Sequence, residues 1–261
     1  MLGIKSLLED DKGYILYLGN YRVLSVFQPI YNLKSNTLIG YEALLRCSDA
    51  EGEAHSPEQL FNSNISKLSR IKIDLISATL HSINYRKYKD KISGKLFLNI
   101  NPASIAYLHQ HPRVWQTMFN CVKHNDASNS GYDFANLVIE IVEQVSDSQV
   151  SLEQQLSLLR EGGCLLAVDD FGSGKSDLAR VKQVKPEFVK LDKSILRKFR
   201  CRSVESLPDV KESLMLHGRT IVMEGIEVPS DLQIAKQVGA DLGQGFYLGK
   251  PSRTFGLVNR Q

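Results

Sequence analysis

The sequence predicts an α/β protein, a modified (β/α)₈ barrel of the TIM type whose first strand runs antiparallel to the rest. Eight short apolar or alternating runs recur along the 261 residues, and segments with helical spacing lie between most of them. A chain of about 250 residues with eight such repeats has the usual size of this barrel. Only YNLKSN (31–36) separates the first two runs. Because a parallel crossover needs about a dozen residues, those two strands must be antiparallel.

The predicted elements follow one another without an internal repeat, a low-complexity tract or a long linker. We therefore expect a single barrel over residues 22–261, preceded by an N-terminal extension over residues 1–21 that contains a helix and the short strand YILYLGNYR. SLEQQLSLLREGG ends in a glycine pair suited to a helix C-cap. The predicted strands are VLSVFQPI (23–30), TLIGYEALL (37–45), KLFLNI (95–100), NLVIEIV (136–142), CLLAV (164–168), PEFVKL (186–191), TIVMEG (220–225) and ADLGQGFYL (240–248). The predicted helices are ISKLSRIKIDLISATLHSI (65–83), SLEQQLSLLREGG (151–163), DLARVKQV (177–184) and DLQIAKQVGA (231–240).

Composition excludes several classes of protein. Hydrophobic residues make up 43% of the chain, which supplies ample material for a core. No stretch approaches the roughly 20 apolar residues of a membrane helix, and the acidic N-terminus MLGIKSLLEDDKGY is unlike a secretory signal. The net charge of +3 is too small to indicate a surface for a DNA or RNA polymer. We therefore expect a cytoplasmic protein with no membrane span.

Polar side chains recur at the ends of the predicted strands. A single acid in such a place is most often a helix N-cap or a turn residue. Glu140 does not fit that explanation, because apolar residues flank it on both sides in VIEIV and a buried charge needs a partner. The carboxyl ends of parallel barrel strands converge on one mouth, where barrel enzymes hold their catalytic groups. The set comprises Glu42, Asn99, Glu140, Asp169, Asp170, Lys190, Asp192, Glu224 and Gln244.

Carboxylates and one amide, with no His or Cys pattern beside them, are hard oxygen ligands suited to Mg²⁺ or Mn²⁺. Asp169 and Asp170 are adjacent at the end of the apolar run CLLAV. One of two neighbouring aspartates can bridge two cations while the other completes the second site. That arrangement is typical of two-metal phosphoester hydrolysis, with metals about 3.5–4 Å apart.

The run QPIYNLKSNTLIGYEALLR (28–46) resembles the opening motif of the EAL domain, a bacterial phosphodiesterase family named for the triplet Glu42-Ala43-Leu44. The resemblance covers roughly residues 22 to 252 and keeps the order and spacing of the family's motifs. The further motifs are FLNINP (97–102), VIEIVEQ (138–144), VDDFGSG (168–174), FVKLD (188–192), MEGIE (223–227) and QGFYLGKP (244–251).

The resemblance implies hydrolysis of cyclic di-GMP to linear pGpG with two Mg²⁺ or Mn²⁺ ions, and a homodimer formed near the helix after the double aspartate. Lys190 and Glu224 would orient and deprotonate the attacking water, and the sequence does not decide which of them is the base. Glu143 would brace the loop after the double aspartate. By the same resemblance, Glu42, Asn99, Glu140 and Asp169 hold one metal, Asp170 holds the second, and Gln28, Leu44, Arg46, Asp192, Glu227 and Gln244 contact substrate.

Several residues depart from the family pattern without removing a predicted ligand. The family usually has Thr at Val142, an aromatic residue at Lys175 and Ser at Asp177. These departures motivate an alternative, a catalytically weak or inactive module that binds cyclic di-GMP or a protein partner. A further alternative is another metal-dependent phosphodiesterase on a similar barrel, which Gln28 and Arg46 disfavour because they match the dinucleotide site.

Overall fold

A computed structural model describes residues 4–61, 65–88, 90–115, 136–141, 151–172, 177–200 and 209–255. The strands are β1 (Ile4–Asp10), β2 (Gly13–Leu18), β3 (Tyr21–Asn32), β4 (Leu38–Ser48), β5 (Ala54–His55), β6 (Lys95–Ile100), β7 (Leu137–Ile141), β8 (Leu165–Phe171), β9 (Phe188–Leu191), β10 (Thr220–Met223) and β11 (Leu242–Gly243). The helices are α1 (Lys67–Lys87), α2 (Pro102–Gln110), α3 (Leu152–Glu161), α4 (Asp177–Val184), α5 (Lys193–Phe199), α6 (Val210–Ser213) and α7 (Pro229–Gln237), with a 3₁₀ helix at Pro57–Phe61.

The barrel predicted from the sequence is confirmed. Strands β4 and β6 to β11 pair in parallel around the sheet, and β3 closes it by pairing with both β4 and β11. Both pairings of β3 are antiparallel, as the short connection after it requires. The end of the barrel where the parallel strands finish is called the mouth below. Because β3 runs the other way, its first residues lie at the mouth.

The barrel interior below the mouth is filled by apolar side chains, so it is a packed core and not a pore. Helices cover the outside of the parallel strands and bury a second, larger apolar layer. Full burial of a single large aliphatic or aromatic side chain contributes about 1.5–3 kcal/mol. This packing fixes the strands whose ends carry the polar residues. The interior layer comprises Ile30, Phe97, Val138, Ala167, Phe188, Val222 and Leu242.

The predicted helices are present, with ends that differ by a few residues. Helix α3 begins with a capping box in which Ser151 and Gln154 exchange hydrogen bonds, and α1 is capped by Ser66. Helices α2 and α5 were not predicted. Each begins at an Asx cap, Asn101 or Asp192, whose side chain accepts a hydrogen bond from a backbone nitrogen of the first turn. No helix in the described ranges is both long and apolar enough to cross a membrane.

The N-terminal extension differs from the prediction, because Ile4–Asp10 is a strand and not a helix. It forms an antiparallel hairpin with β2, which in turn pairs with β3. Tertiary contacts explain the difference: Arg253 makes a bidentate ion pair with Asp10, and Lys87 binds Glu9. The hairpin therefore continues the barrel sheet beyond the rim of the mouth. The boundary at residue 22 stays a prediction.

The last predicted strand, residues 240–248, is shorter in the structure, where β11 contains only Leu242 and Gly243. The chain turns at Gly245, which lies directly against the backbone of Ile226, where no Cβ could fit. Its neighbour Gln244 consequently ends beside the barrel axis instead of continuing an alternating strand.

Candidate active site at the barrel mouth

The amino group of Lys190 lies at the centre of four carboxylates. Its Nζ atom is 2.9 Å from Oε1 of Glu140 and 2.9 Å from Oε1 of Glu224. It is 3.3 Å from Oε1 of Glu42 and 3.2 Å from Oδ1 of Asp169. Each residue comes from a different strand or strand end, and the Lys190 side chain is only 1% exposed. The mouth therefore gathers the charged groups that the sequence had placed at successive strand ends.

Three amides join this cluster through Glu42. Asn99 donates from Nδ2 to Oε1 of Glu42 at 3.1 Å, and Gln244 donates from Nε2 to Oε2 at 2.6 Å. Gln244 also lies 3.3 Å from Oε1 of Gln28, which pairs across the barrel seam with Glu42. The amide of Gln28 donates onward to the carbonyl of Gly249. Both oxygens of Glu42 are thus fixed by side chains from neighbouring strands.

Asp169 and Asp170 reach the same side of the sheet because β8 contains a bulge. Val168 pairs with Val189 and Phe171 with Leu191, so β8 advances by three residues while β9 advances by two. Asp170 adopts a left-handed conformation with φ of 55°. In a regular strand two successive side chains would point to opposite faces. Here, one carboxylate oxygen each from Asp169, Asp170 and Glu224 lie within 4.8 Å of one another.

The pKa values of Lys190, Glu140 and Glu224 in this cluster are all raised. Burial would lower the pKa of Lys190, but the carboxylates of Asp169, Glu140 and Glu224 outweigh burial and hold that pKa well above its ordinary value. Burial raises the pKa of Glu140 well above its ordinary range, against the attraction of Lys190. Burial likewise raises the pKa of Glu224 to about 8. One ammonium does not compensate the gathered acids, so the site retains an excess of negative charge.

The donor set fits divalent cations. Four carboxylates around Lys190, Asp170 beside them and the Asn99 amide supply the hard oxygen ligands that Mg²⁺ and Mn²⁺ prefer. Oε2 of the fully buried Glu140 has no hydrogen-bond partner among the residues that the structure describes, and a buried carboxylate oxygen without one is costly. A cation bound here would remove that cost and the excess charge together.

The structure also describes the positions of four other predicted site residues, Leu44, Arg46, Asp192 and Glu227. Leu44 and Arg46 follow Glu42 at every second position of β4, so they lie on the same face nearer the rim. Asp192 caps α5 by accepting from the backbone nitrogen of Ser194, so the structure gives it a local role. Glu227 is exposed in the loop before α7. The predictions for Glu143, Val142 and Lys175, and for the side chain of Asp177, lie outside the described residues.

One residue beside the cluster had no signal in the sequence. Arg180 on α4 donates from Nη1 to the carbonyl oxygen of Asp169 at 3.3 Å. It lies within the amphipathic segment DLARVKQV, where an arginine is unremarkable as a solvent-facing helical residue. Only the placement of α4 directly after the bulge brings it to the site.

Sequence comparison gives the family. The family model of the EAL domain matches residues 17–251. The chain is 26% identical over 247 residues to the "Probable cyclic di-GMP phosphodiesterase PdeG" of Escherichia coli K12, a match that covers 92% of this chain and 47% of that protein. It is 24% identical over 247 residues to the cyclic di-GMP phosphodiesterase PdeF of the same organism, covering 89% of this chain and 30% of PdeF. The chain therefore spans less than half the length of these relatives.

Comparison with solved structures agrees with the barrel. The manganese and cyclic di-GMP complex of Klebsiella pneumoniae BlrP1 superposes with a TM-score of 0.69 at 25% identity, over 88% of this chain and 56% of that chain. A standalone EAL protein from Vibrio cholerae O395 in its c-di-GMP-bound form superposes with a TM-score of 0.71 at 24% identity, over 88% and 92% of the two chains. At this identity the second match supports the fold alone.

The resemblance inferred from the motifs is thus confirmed over most of the length, from the strand that carries Glu42 to the segment that carries Gln244. The barrel with one antiparallel strand and the acids at its mouth agree with that match. The chain belongs to the EAL domain family.

Proposed function

We propose that this chain hydrolyses cyclic di-GMP to linear pGpG and so lowers the concentration of that second messenger. The observation that carries the proposal is the complete set of acids around Lys190, together with a bulge that brings Asp169 and Asp170 to the same mouth. The relatives PdeG and PdeF are named for this activity and supply the substrate class. The proposed hydrolysis requires every one of these acids.

Two divalent cations, Mg²⁺ or Mn²⁺, would be held by the acids at the mouth. Glu42, Asn99, Glu140 and Asp169 would hold the first, and Asp170 with the shared Asp169 would hold the second. When bound, such ions supply a water of lowered pKa and neutralise charge that develops on the phosphate. Two amides support this arrangement by fixing the orientation of Glu42. Gln244 donates directly to the Glu42 carboxylate, and Gln28 accepts a hydrogen bond from the same amide of Gln244.

The two candidate bases, Lys190 and Glu224, differ in their ability to accept a proton. Lys190 keeps its proton at Nζ, because the surrounding acids hold its pKa well above the ordinary value. It is therefore suited to orient the water and to stabilise negative charge, not to accept a proton. The carboxylate of Glu224 is the remaining group, and its Oε1 lies at the mouth, 2.9 Å from Nζ of Lys190 and close to Asp169 and Asp170. We assign Glu224 as the base on this ground.

Substrate binding would use the rim above the acids. Arg46 is exposed two positions beyond Leu44 on the strand that carries Glu42, and a guanidinium is suited to a bidentate phosphate contact. Gln28 and Gln244 lie deeper. Gln244 donates to Glu42 and to Gln28, so the two amides would also act on substrate through that ligand. Localisation in the cytoplasm, where the substrate would be made, belongs to the same proposal.

A second candidate function is binding of cyclic di-GMP without hydrolysis. The observation that favours it is the departure of Val142, Lys175 and Asp177 from the family pattern beside the predicted ligands. The two functions make the same prediction for nucleotide binding and opposite predictions for turnover.

The test is an anion-exchange assay for pGpG with purified chain that has been stripped of metal with EDTA. We expect pGpG to accumulate after addition of Mn²⁺ and none to form in EDTA. Glu42→Gln should abolish product, whereas Asp90→Asn, a change of the same kind at an exposed position, should not. Binding of intact cyclic di-GMP in the presence of Mn²⁺ would establish the binding module instead. A chain that neither binds nor cleaves the dinucleotide would refute both.

A further inference from the structure

The bulge that brings the two aspartates together interrupts the register between β8 and β9. Neither Asp169 nor Asp170 has a partner in the described pairings of β8 with β7 or β9. A bulge commonly leaves one residue out of the ladder, and a buried backbone carbonyl then needs another donor. Arg180 supplies that donor to the carbonyl of Asp169.

We propose that Arg180 is a positioning residue that holds the bulge of β8 in the shape that presents Asp169 and Asp170 to cations. The inference rests on the proposed function only in taking these aspartates as metal ligands. The guanidinium binds the main-chain carbonyl of Asp169, while the carboxylate of Asp169 lies at the mouth, 3.2 Å from Nζ of Lys190.

The conformation of Asp170 shows why the bulge needs support. A left-handed φ of 55° is uncommon for a residue other than glycine, and it persists where surrounding contacts enforce it. Phe171, the next residue, returns to the ladder opposite Leu191, and its carbonyl accepts from the backbone nitrogen of Asp192. The bulge is thus fixed by β9 after Asp170 and by Arg180 before it.

The charge of Arg180 and its hydrogen bond have opposite effects on the affinity of the aspartates for a cation. A guanidinium near the aspartates repels cations, so its removal would strengthen metal binding if charge were its only role. If it holds the bulge, its removal weakens metal binding. The two roles therefore predict opposite signs for a single measurement.

The experiment is a titration of Mn²⁺ into the metal-free chain by isothermal calorimetry, without nucleotide. We expect Arg180→Met to weaken Mn²⁺ binding about tenfold, the lower end of the effect of losing a group that orients a metal ligand. Arg180→Lys keeps a charge and a donor that can reach the carbonyl, and it should restore most of the affinity. Lys182→Met is the matched control, because it removes an exposed positive charge from the same helix, and it should leave the affinity unchanged.

Binding by Arg180→Met that equals or exceeds wild-type binding would overturn the assignment, as would an equal loss in Lys182→Met. Circular dichroism of each variant in EDTA shows whether it is folded. If Arg180→Met does not fold, the comparison moves to Arg180→Gln, which keeps an amide donor but not the charge and should bind more weakly than Arg180→Lys. Wild-type chain that binds no Mn²⁺ would refute the proposed metal site and this assignment with it. A failure confined to the Arg180 variants would leave the proposed function intact.

Discussion

Replacing Lys190 by Met tests whether the site depends on a positive charge at its centre. The ammonium lies 2.9–3.3 Å from four carboxylates and is almost completely buried. Methionine has a similar length and no charge, so the change removes the counter-charge with little change of volume. Removing one partner of a buried ion pair costs about 3–5 kcal/mol. In EDTA we therefore expect the Lys190→Met variant to lose about that much stability.

For a domain of this size, each kcal/mol lowers the unfolding midpoint by roughly 2–4 °C, so the midpoint should fall by roughly 6–20 °C. Mn²⁺ at a hundredfold excess over its dissociation constant stabilises the folded state by about 2.7 kcal/mol. Because the wild-type ammonium already neutralises part of the cluster, we expect Mn²⁺ to raise the midpoint more in the variant than in wild type. Turnover should nevertheless be lost, since the charge next to the water is missing.

Differential scanning fluorimetry with and without Mn²⁺ measures both effects. Lys211→Met is the matched control, because Lys211 pairs with Asp241 at 2.7 Å at a partly exposed site and should cost only about 0–1 kcal/mol. Unfolding of Lys190→Met at the wild-type temperature in EDTA would contradict a stabilising charge at the centre of the site. Stronger stabilisation of wild type than of the variant by Mn²⁺ would contradict it as well.

Three further predictions concern stability away from the site. Burial lowers the pKa of His81 to about 3 from an ordinary 6.5, so the unfolded chain takes up the proton first and stability falls as the pH drops below 6.5. Between pH 7 and pH 5, the free energy of unfolding measured by urea titration should therefore fall by about 2 kcal/mol less in His81→Gln than in wild type. Gly40→Ala would place a methyl group against the backbone of Lys95 in the adjacent strand, so its thermal midpoint should indicate a loss of about 1–3 kcal/mol or more. Arg253→Met breaks the bidentate pair with Asp10, so amide exchange in β1 should accelerate while global stability changes by less than about 1 kcal/mol.

Each of these predictions has an outcome that contradicts it. His217→Gln is the control for His81, since His217 is exposed and should retain the wild-type pH dependence. Parallel loss of stability in His81→Gln and wild type would contradict the buried neutral imidazole. An unchanged midpoint in Gly40→Ala would contradict the close approach of β4 and β6. Unchanged exchange in β1 would show that the hairpin does not depend on Arg253.

The barrel itself could be predicted from the sequence because its signals are local. Apolar runs end in polar residues at regular intervals, and the six residues between the first two runs leave no room for a crossover helix. The same logic placed Glu42, Glu140 and Asp169 at one mouth. These inferences need only the strand period and the rule that parallel strands end together.

The shape of the site could not be predicted, because it depends on tertiary contacts. Strand alternation would put Asp170 on the face opposite Asp169, and only the register with β9 reveals the bulge that reverses this. Lys190 looked like one strand-end residue among several, whereas the structure places it between four acids. Arg180 had no pattern that could distinguish it from other helical arginines.

The N-terminal hairpin and Asp192 show the same limit. IKSLLED has no clear strand alternation, and it becomes a strand by pairing with β2 in an antiparallel hairpin, to which Asp10 and Glu9 add ion pairs with residues far along the chain. The resemblance implies that Asp192 contacts substrate, which stays a prediction, and the structure adds that its carboxylate caps α5. Spacing in the sequence places a residue near the mouth without showing which contacts it makes there.

The most direct test of the account compares wild type with Glu140→Gln in a pGpG assay and a Mn²⁺ titration on the same protein preparations. Glu140 is fully buried and makes its described contact with Lys190, so an amide of equal size removes a predicted metal ligand without exposing the core. We expect the variant to stay folded, to lose at least about 100-fold in turnover and to bind Mn²⁺ more weakly. Wild-type turnover and unchanged Mn²⁺ binding in Glu140→Gln would contradict it.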